Sequence, residues 1–245
     1  MEKTSLLDRI LPYALLGMTA VTGMIDAVSF LGLGHVFTAN MTGNVAFLGF
    51  AAAGTPGLSA ARSSAALVAF LAGALIGGRI MAGAPSAFQV GRAISAFGIE
   101  LAFLITAVIT AIGYGGVPTQ QPGKLYTLIC VTALAMGIRN ATVRKLAVQD
   151  LTTTVLTLTI TGLAADSFLA GGSNPRWGRR IGSVGSMFAG AGLGALVLKH
   201  SLSLALSLCV MVSFICTLAL FVAFRKGLQT RVAVQTDPSP VRRDA

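Results

Sequence analysis

The sequence predicts an all-α, polytopic membrane helix bundle, and three observations carry this prediction. The chain has 245 residues, of which 54% are hydrophobic and only 11% charged, whereas soluble domains carry about 25% charged residues. Its apolar residues fall into runs near the length of about 20 that crosses a bilayer. Short clusters of glycine and proline separate these runs. We predict one transmembrane domain over residues 1–225 and a disordered cytoplasmic tail over 226–245.

Six of the apolar runs are predicted to be spanning helices. They are Leu11–Leu33, Ser63–Met81, Ile94–Tyr114, Leu125–Ile138, Ile181–Leu198 and Leu202–Phe224. The first run follows Lys3 and Arg9, as the apolar region of a signal peptide would. It is longer than the 7–15 residues of a cleaved signal, so we interpret it as the first span.

Two further segments are apolar but too polar for ordinary spans. The first, His35–Ala53, contains "FTANMTGN", in which Thr38, Asn40, Thr42 and Asn44 recur at every second position. The second, Leu146–Leu163, contains "QDLTTTVLTLTIT", with six threonines between positions 152 and 161. Irregular backbone at membrane depth is tolerated only against protein or a water-filled cavity. We therefore predict two broken or re-entrant segments.

The chain contains signs of an internal repeat. "GMIDAV" at 23–28 aligns with "GIRNAT" at an offset of 114, "VFTANMT" with "VQDLTTT" at 112, and "AGALIGG" with "AGAGLGA" at 117. Small residues also recur every fourth position in both halves, as from Gly182 to Gly194, which favours close helix packing in lipid. These matches predict two structural repeats, about 10–116 and 124–225.

The distribution of basic residues predicts how the repeats are oriented. With six crossings and a cytoplasmic N-terminus, 15 of the 18 lysines and arginines lie inside and 3 outside; with eight crossings the division is 12 to 6. Cytoplasmic loops are enriched in lysine and arginine. The charges thus favour six crossings, inverted repeats and cytoplasmic termini.

Asp26 is the leading candidate for function, because a charged residue deep in a span is costly and usually functional. It could bind a proton or a cation, or pair with Arg139 or Arg144; a buried ion pair that only holds the halves together is the structural alternative. We expect Glu100 merely to mark an interface. The predicted substrate-binding residues are Asp26, Asn40, Thr42, Asn44, Arg139, Asn140, Arg144, Asp150, Thr153, Thr154, Thr157 and Thr161.

Other kinds of site have little support in the sequence. The three cysteines form no CxxC pair, and no HExxH, GxSxG or P-loop motif is present. We therefore expect no enzyme activity, no catalytic residue, no metal and no cofactor. The net charge of +10 is spread between apolar runs, which argues against nucleic acid as a partner. The expected partners are the lipid bilayer and a small polar or anionic solute, and a homo-oligomer is left open.

Three stretches resemble a known family. "NMTGN" (40–44), "RNATVRKLAV" (139–148) and "DLTTTVLTLTITGLAADS" (150–167) are similar to signature stretches of the YoaK-like bacterial membrane proteins, a domain-of-unknown-function family. The likeness runs from about residue 10 to 225. It implies a bacterial inner-membrane protein of about six spans, and it brings no established substrate or catalytic residues.

Three functions are consistent with these observations. The first is a small-solute transporter or channel with a polar site between the two repeats. The second is a non-transporting membrane scaffold or sensor, in which the polar segments join helices. The third, an intramembrane enzyme on lipid substrates, would require the scattered acidic residues to converge at one cleft.

Overall fold

The computed structural model describes residues 6–83, 85, 88–115, 120–147 and 156–236, with side chains described as far as residue 229. These residues form eight α-helices and a short 3₁₀ turn, Phe168–Ala170, with no strand among them. The helices are α1 Leu6–Gly32, α2 Met41–Ala52, α3 Ala60–Met81, α4 Gln89–Ala111, α5 Pro122–Leu146, α6 Leu156–Ala165, α7 Trp177–Leu198 and α8 Leu202–Thr236.

Six of these helices are long and apolar enough to cross a membrane: α1, α3, α4, α5, α7 and α8. The other two, α2 and α6, have 12 and 10 residues. At a rise of about 1.5 Å per residue they reach roughly half the thickness of the hydrocarbon core. The prediction of an all-α membrane bundle with six spanning helices and two short segments is confirmed.

Two helices extend beyond the predicted runs. The fourth run, Leu125–Ile138, is short for a span unless it continues past Arg139, and α5 does continue past Arg139 to Leu146. The last helix does not end at Phe224 but reaches Thr236, so residues 226–236 of the predicted disordered tail are helical. The leucine, alanine, lysine, arginine and glutamines of this stretch are good helix formers, although the stretch is too polar to extend an apolar run.

One end of the bundle, which we call the Lys124 end, brings together the last turn of three helices and the first turn of three others. Gly34, just after α1, lies directly against the guanidinium group of Arg62 in the first turn of α3. Lys124 in α5 donates a hydrogen bond to the carbonyl oxygen of Ile112 after α4, at 2.9 Å. Gly32 lies near Leu198, at the end of α7. The chain therefore leaves α1 and begins α3 at the same end, so α2 does not cross the bundle.

The opposite end, which we call the Arg180 end, holds the complementary helix ends. Arg92 at the start of α4 donates hydrogen bonds to the carbonyl oxygens of Ile80 and Ala82 at the end of α3. A buried apolar cluster joins the early part of α1, the end of α3, the start of α4, the end of α5 and the second half of α8. The helix α6 packs on α7 at this end.

Close helix packing occurs along the two predicted stripes of small residues. The helix α3 packs on α5, and α7 packs on α1. A β-carbon on Gly77 would lie 2.6 Å from the carbonyl oxygen of Ile138, and one on Gly194 would lie 2.8 Å from the Cα of Met24. Glycine is required at both positions because a side chain would enter the backbone of the neighbouring helix.

The remaining packing follows a regular scheme. The helix α4 packs on α5, and α8 packs on α1; α4 and α8 also contact each other. The short helices pack on the helices that follow them in the chain, α2 on α3 and α6 on α7. Exchanging the first four helices with the last four (α1 with α5, α2 with α6, α3 with α7 and α4 with α8) turns each of these contacts into another contact that is present, except the α4–α8 contact, which stays the same.

Candidate functional site

The segment that joins α1 to α2, residues 33–40, folds back into the Lys124 end and is held by the side chain of Asn44. This amide is fully buried. Its oxygen accepts a hydrogen bond from the backbone N–H of Phe37 at 3.0 Å, and its nitrogen donates to the carbonyl oxygen of the same residue. Asn44 therefore satisfies backbone groups that would otherwise be unpaired in a buried, non-helical segment.

Helix α1 provides the second attachment of this segment. Asp26 is buried, and its Oδ1 accepts a hydrogen bond from the backbone N–H of Ala39 at 3.1 Å. Ser29, almost one turn further along α1, accepts a hydrogen bond from the backbone N–H of Thr38 at 3.3 Å. A carboxylate and a hydroxyl on one face of α1 thus hold two consecutive backbone amides.

Aromatic side chains of α1 and α2 also pack against the 33–40 segment. The rings of Phe30 and Phe37 stack with their centroids 5.0 Å apart, and Phe37 stacks on Phe47 at 5.6 Å. Gly43 makes room for Phe37, since a β-carbon there would lie 2.6 Å from the ring. The alternating polar row therefore has two faces: Thr38 and Asn44 are buried, whereas Asn40 and Thr42 are exposed.

A second buried polar centre surrounds Arg139. Its side chain is completely buried and forms an ion pair with Glu100 of α4. It also donates hydrogen bonds to Ser213 of α8 at 2.7 Å and to the carbonyl oxygen of Met18 in α1 at 2.9 Å, with a longer contact of 3.4 Å to Thr22. The guanidinium group of Arg139 thereby links α5 to α1, α4 and α8.

This centre corrects two expectations. The partner of Arg139 is Glu100, which we had expected only to mark an interface, and Asp26 forms no ion pair with Arg139. Arg144, the alternative partner of Asp26, is exposed in the last turn of α5. The sequence did contain one signal for Glu100, since it is the single acidic residue within the long apolar helix α4.

The second short helix, α6, is attached by a different device. Arg180 in the first turn of α7 donates a hydrogen bond to the carbonyl oxygen of Gly162 at 2.6 Å and forms an ion pair with Asp166 at 2.7 Å. Thr157 and Thr161 are exposed on α6, and Thr159 is buried. Asp150, Thr153 and Thr154, which we predict to line the same site, lie outside the described residues.

The structure thus brings only some of the predicted residues together. Asp26, Asn40 and Asn44 meet at the Lys124 end, while Arg139 belongs to the separate centre with Glu100. Asn140 is buried on α5, next to Arg139. At the same end, burial raises the pKa of the Tyr114 hydroxyl, and the nearby positive charge of Arg62 partly opposes this rise.

Two open grooves lie elsewhere on the molecule. One of about 540 Å³ lies between α6 and the start of α7 and is lined by residues that include Phe168 and Trp177. The other, of about 400 Å³, lies between the start of α4 and the end of α8 and is lined by residues that include Phe88 and Phe224. None of the predicted binding residues lines either groove.

Six apolar spanning helices around buried charged side chains define a polytopic integral membrane protein. The particular family follows from comparison with known proteins: the chain belongs to the family described as "Protein of unknown function (DUF1275)", which it matches over residues 14–219. It is 31% identical over 153 residues to the UPF0700 transmembrane protein YoaK of Bacillus subtilis (strain 168). That alignment covers 62% of this chain and 64% of the relative, which is less than two thirds of the relative's length.

The predicted resemblance to the YoaK-like family is therefore confirmed. No solved structure matches the chain.

Proposed function

We propose that this protein is a small-solute transporter or channel, with a polar site at the interface of two inverted structural repeats. The proposal rests on the helix packing, because each contact made by a helix of one half has an equivalent contact in the other half. The helix α3 packs on α5 as α7 packs on α1, and α4 packs on α5 as α8 packs on α1. This pattern is expected of two copies of one unit related by a pseudo-two-fold axis.

The closest contacts support the relation residue by residue. Gly77 meets Ile138, and Gly194 meets Met24. The two glycines are 117 residues apart and their partners are 114 apart, the same offsets at which the two sequence motifs of these helices align. Segments rich in alanine and glycine can align by chance. Chance alignment would not, however, place the contact partners of the two glycines at a matching offset as well.

The direction of the helices supports inversion. α1 runs towards the Lys124 end, whereas α5, its counterpart, begins there. The two short helices accordingly lie at opposite ends of the bundle, α2 at the Lys124 end and α6 at the Arg180 end. Broken segments that enter from opposite sides are common in transporters whose substrate site lies near the bilayer midplane.

The proposed path runs between the halves, past the attachment of the 33–40 segment and the polar face of α6. Asp26, Asn44 and Asn140 are buried along it. Asn40 begins α2 without using its side chain as a helix cap, and Thr42 in the first turn is exposed. Amides, hydroxyls and a charged group suit a small polar or anionic solute.

The proposed orientation places the Arg180 end and both termini in the cytoplasm of a bacterial cell, with the protein in the inner membrane. Arg62, Lys124 and Lys199 would lie on the outer side, and the other 15 lysines and arginines inside or within the bundle. This division follows the enrichment of basic residues in cytoplasmic loops.

Transport is tested with the purified full chain in proteoliposomes, by recording transient currents and isotope uptake for carboxylates, amino acids, phosphate and sugars. We expect uptake of one of these classes and its loss in Asp26→Asn. The matched control is Asp8→Asn, the same chemical change at an exposed position of the same helix. If no class is taken up, or if both variants behave alike, the transporter proposal is wrong.

A non-transporting scaffold or sensor is the second candidate, and the bonding of the polar residues favours it. Both polar atoms of the Asn44 side chain form hydrogen bonds with the backbone of Phe37. The side chain of Arg139 is fully buried between α1, α4, α5 and α8. If the protein is a scaffold, Asp26→Asn should lower its thermal stability in proteoliposomes without solute, and neither the wild type nor this variant should transport any solute.

A further inference from the structure

Only one of the two carboxylate oxygens of Asp26 accepts a hydrogen bond from the residues that the structure describes. Its exposed fraction is 5%, and Oδ1 accepts the hydrogen bond from Ala39. Oδ2 is also buried, yet it has no hydrogen-bond partner among the residues that the structure describes. The hydroxyl of Thr38, which is completely buried in the attached segment, likewise has none there. Two adjoining elements therefore each bury one polar oxygen atom that lacks a partner.

The carboxylate also lacks a neutralising charge in the described part of the chain. Arg139 contacts α1 at Met18 and Thr22, but its charge is balanced by Glu100. Around this part of α1, the charged and titratable groups are Arg139 and Cys130 from α5, Glu100 from α4, Tyr114 after α4, Cys209 from α8, His35 from the 33–40 segment, and Arg62 from α3. Neither α2 nor the adjoining face of α7 presents such a group. A buried carboxylate without a cation is too costly to remain charged at all times.

We propose that Asp26 binds one proton at Oδ2, and that binding of this proton releases the 33–40 segment from α1. Proton binding stands on the geometry of Asp26 alone. Its consequence, proton-coupled opening of the solute path, rests on the proposed transport function.

Two protonation states follow from the contacts. In the charged state, the carboxylate holds the backbone amide of Ala39 with a charge-assisted hydrogen bond, which is roughly twice as strong as a neutral one. A proton reaches Oδ2 from water at the Lys124 end, where the side chain of Asn40 is exposed. The neutral acid keeps Oδ1 only as a weak acceptor, so the amide of Ala39 is held less firmly. Loss of the proton to water restores the first state.

Infrared difference spectroscopy on proteoliposomes tests proton binding directly, because a protonated carboxylic acid has a C=O band that the carboxylate lacks. We expect one buried carboxylic acid band to grow as the pH falls, in the wild type and in Asp8→Asn. Asp26→Asn should lack this band, although its amide oxygen can still accept from Ala39. If the band remains in Asp26→Asn, or if none titrates in the wild type, the proposal is overturned.

Hydrogen exchange of the peptides that cover residues 33–44 tests the release. After correction for the intrinsic effect of pH, their protection should fall in the wild type over the same pH range in which the band grows. In Asp26→Asn protection should be low throughout, and the peptides at the far end of α1 should be unchanged. Protection that does not follow the band would show that protonation and release are not linked.

Two further measurements, a sodium titration and an alternative variant, complete the test. If sodium at constant pH removes the band and restores protection, sodium competes with the proton for Asp26, and the assignment of a site for a proton alone is wrong. If Asp26→Asn does not fold, Asp26→Glu replaces it, and a pH midpoint of the band identical to that of the wild type would refute the assignment. Both readouts are independent of solute, so failure of the transport proposal alone would leave them intact.

Discussion

Replacing Glu100 by leucine should destabilise the protein more than replacing Arg139 by methionine, although each change removes one member of the same buried ion pair. Arginine cannot lose its proton in a protein, so Glu100→Leu leaves a cation enclosed by four helices. Its remaining hydrogen bonds, to Ser213 and to the Met18 carbonyl, carry no negative charge. In Arg139→Met the remaining carboxyl group can take up a proton and become neutral.

The expected magnitudes follow from these two situations. Breaking a buried pair so that a charge is left unpaired costs about 3–5 kcal/mol, which we expect for Glu100→Leu. A neutral but unsatisfied polar group costs about 1–3 kcal/mol, which we expect for Arg139→Met. Apolar replacement of both partners is often close to neutral, so the double variant should be more stable than Glu100→Leu alone.

The assay is thermal unfolding in nanodiscs, followed by circular dichroism for the wild type, both single variants and the double variant. For a chain of this size the loss in Glu100→Leu corresponds to a fall in Tm of roughly 6–20 °C. Ser207→Ala, an exposed change on α8, serves as the control. Equal losses in the two single variants, together with additivity in the double variant, would refute the reasoning.

Three further predictions concern packing, the 33–40 segment and topology. Gly194→Ala should lower stability by about 1–3 kcal/mol through overpacking against α1, whereas Gly192→Ala, which meets open space, should be neutral or stabilising in the same unfolding assay. Asn44→Ala should accelerate hydrogen exchange at Phe37 and its neighbours without changing exchange in α5, because it leaves two buried backbone groups unpaired. In a background without native cysteines, an impermeant thiol reagent should label Thr55→Cys from outside intact cells and should label Ser173→Cys only after lysis; labelling of both from the same side would contradict six crossings.

The helices could be predicted from the sequence because length and apolar content are local properties. All six spanning helices were located, and the two remaining apolar segments were recognised as too polar for ordinary spans. The errors occurred where hydropathy does not report helix ends. α5 continues through Arg139 because Glu100 neutralises the charge, and α8 continues to Thr236 with residues that form helices outside an apolar environment.

The site was less predictable, because its bonding depends on the register between distant elements. Arg139 and its partner Glu100 are 39 residues apart, and no local pattern joins them. The polar row from Thr38 to Asn44 was expected to line one surface. Its extended part turns into α2 at Met41, and alternate residues therefore do not keep one orientation. As a result, Thr38 and Asn44 are buried while Asn40 and Thr42 are exposed.

The two buried centres on α1 are expected to influence each other. Arg139 contacts Thr22, and Asp26 lies one helical turn beyond it, a rise of about 6 Å along α1. While Glu100 balances Arg139, the carboxylate of Asp26 remains free to hold the amide of Ala39. In Glu100→Leu the unpaired guanidinium group should attract Asp26, and hydrogen exchange in residues 33–40 should become faster. Arg139→Met removes the attracting charge and should leave exchange there unchanged; equal acceleration in both variants would instead indicate general loosening of the bundle.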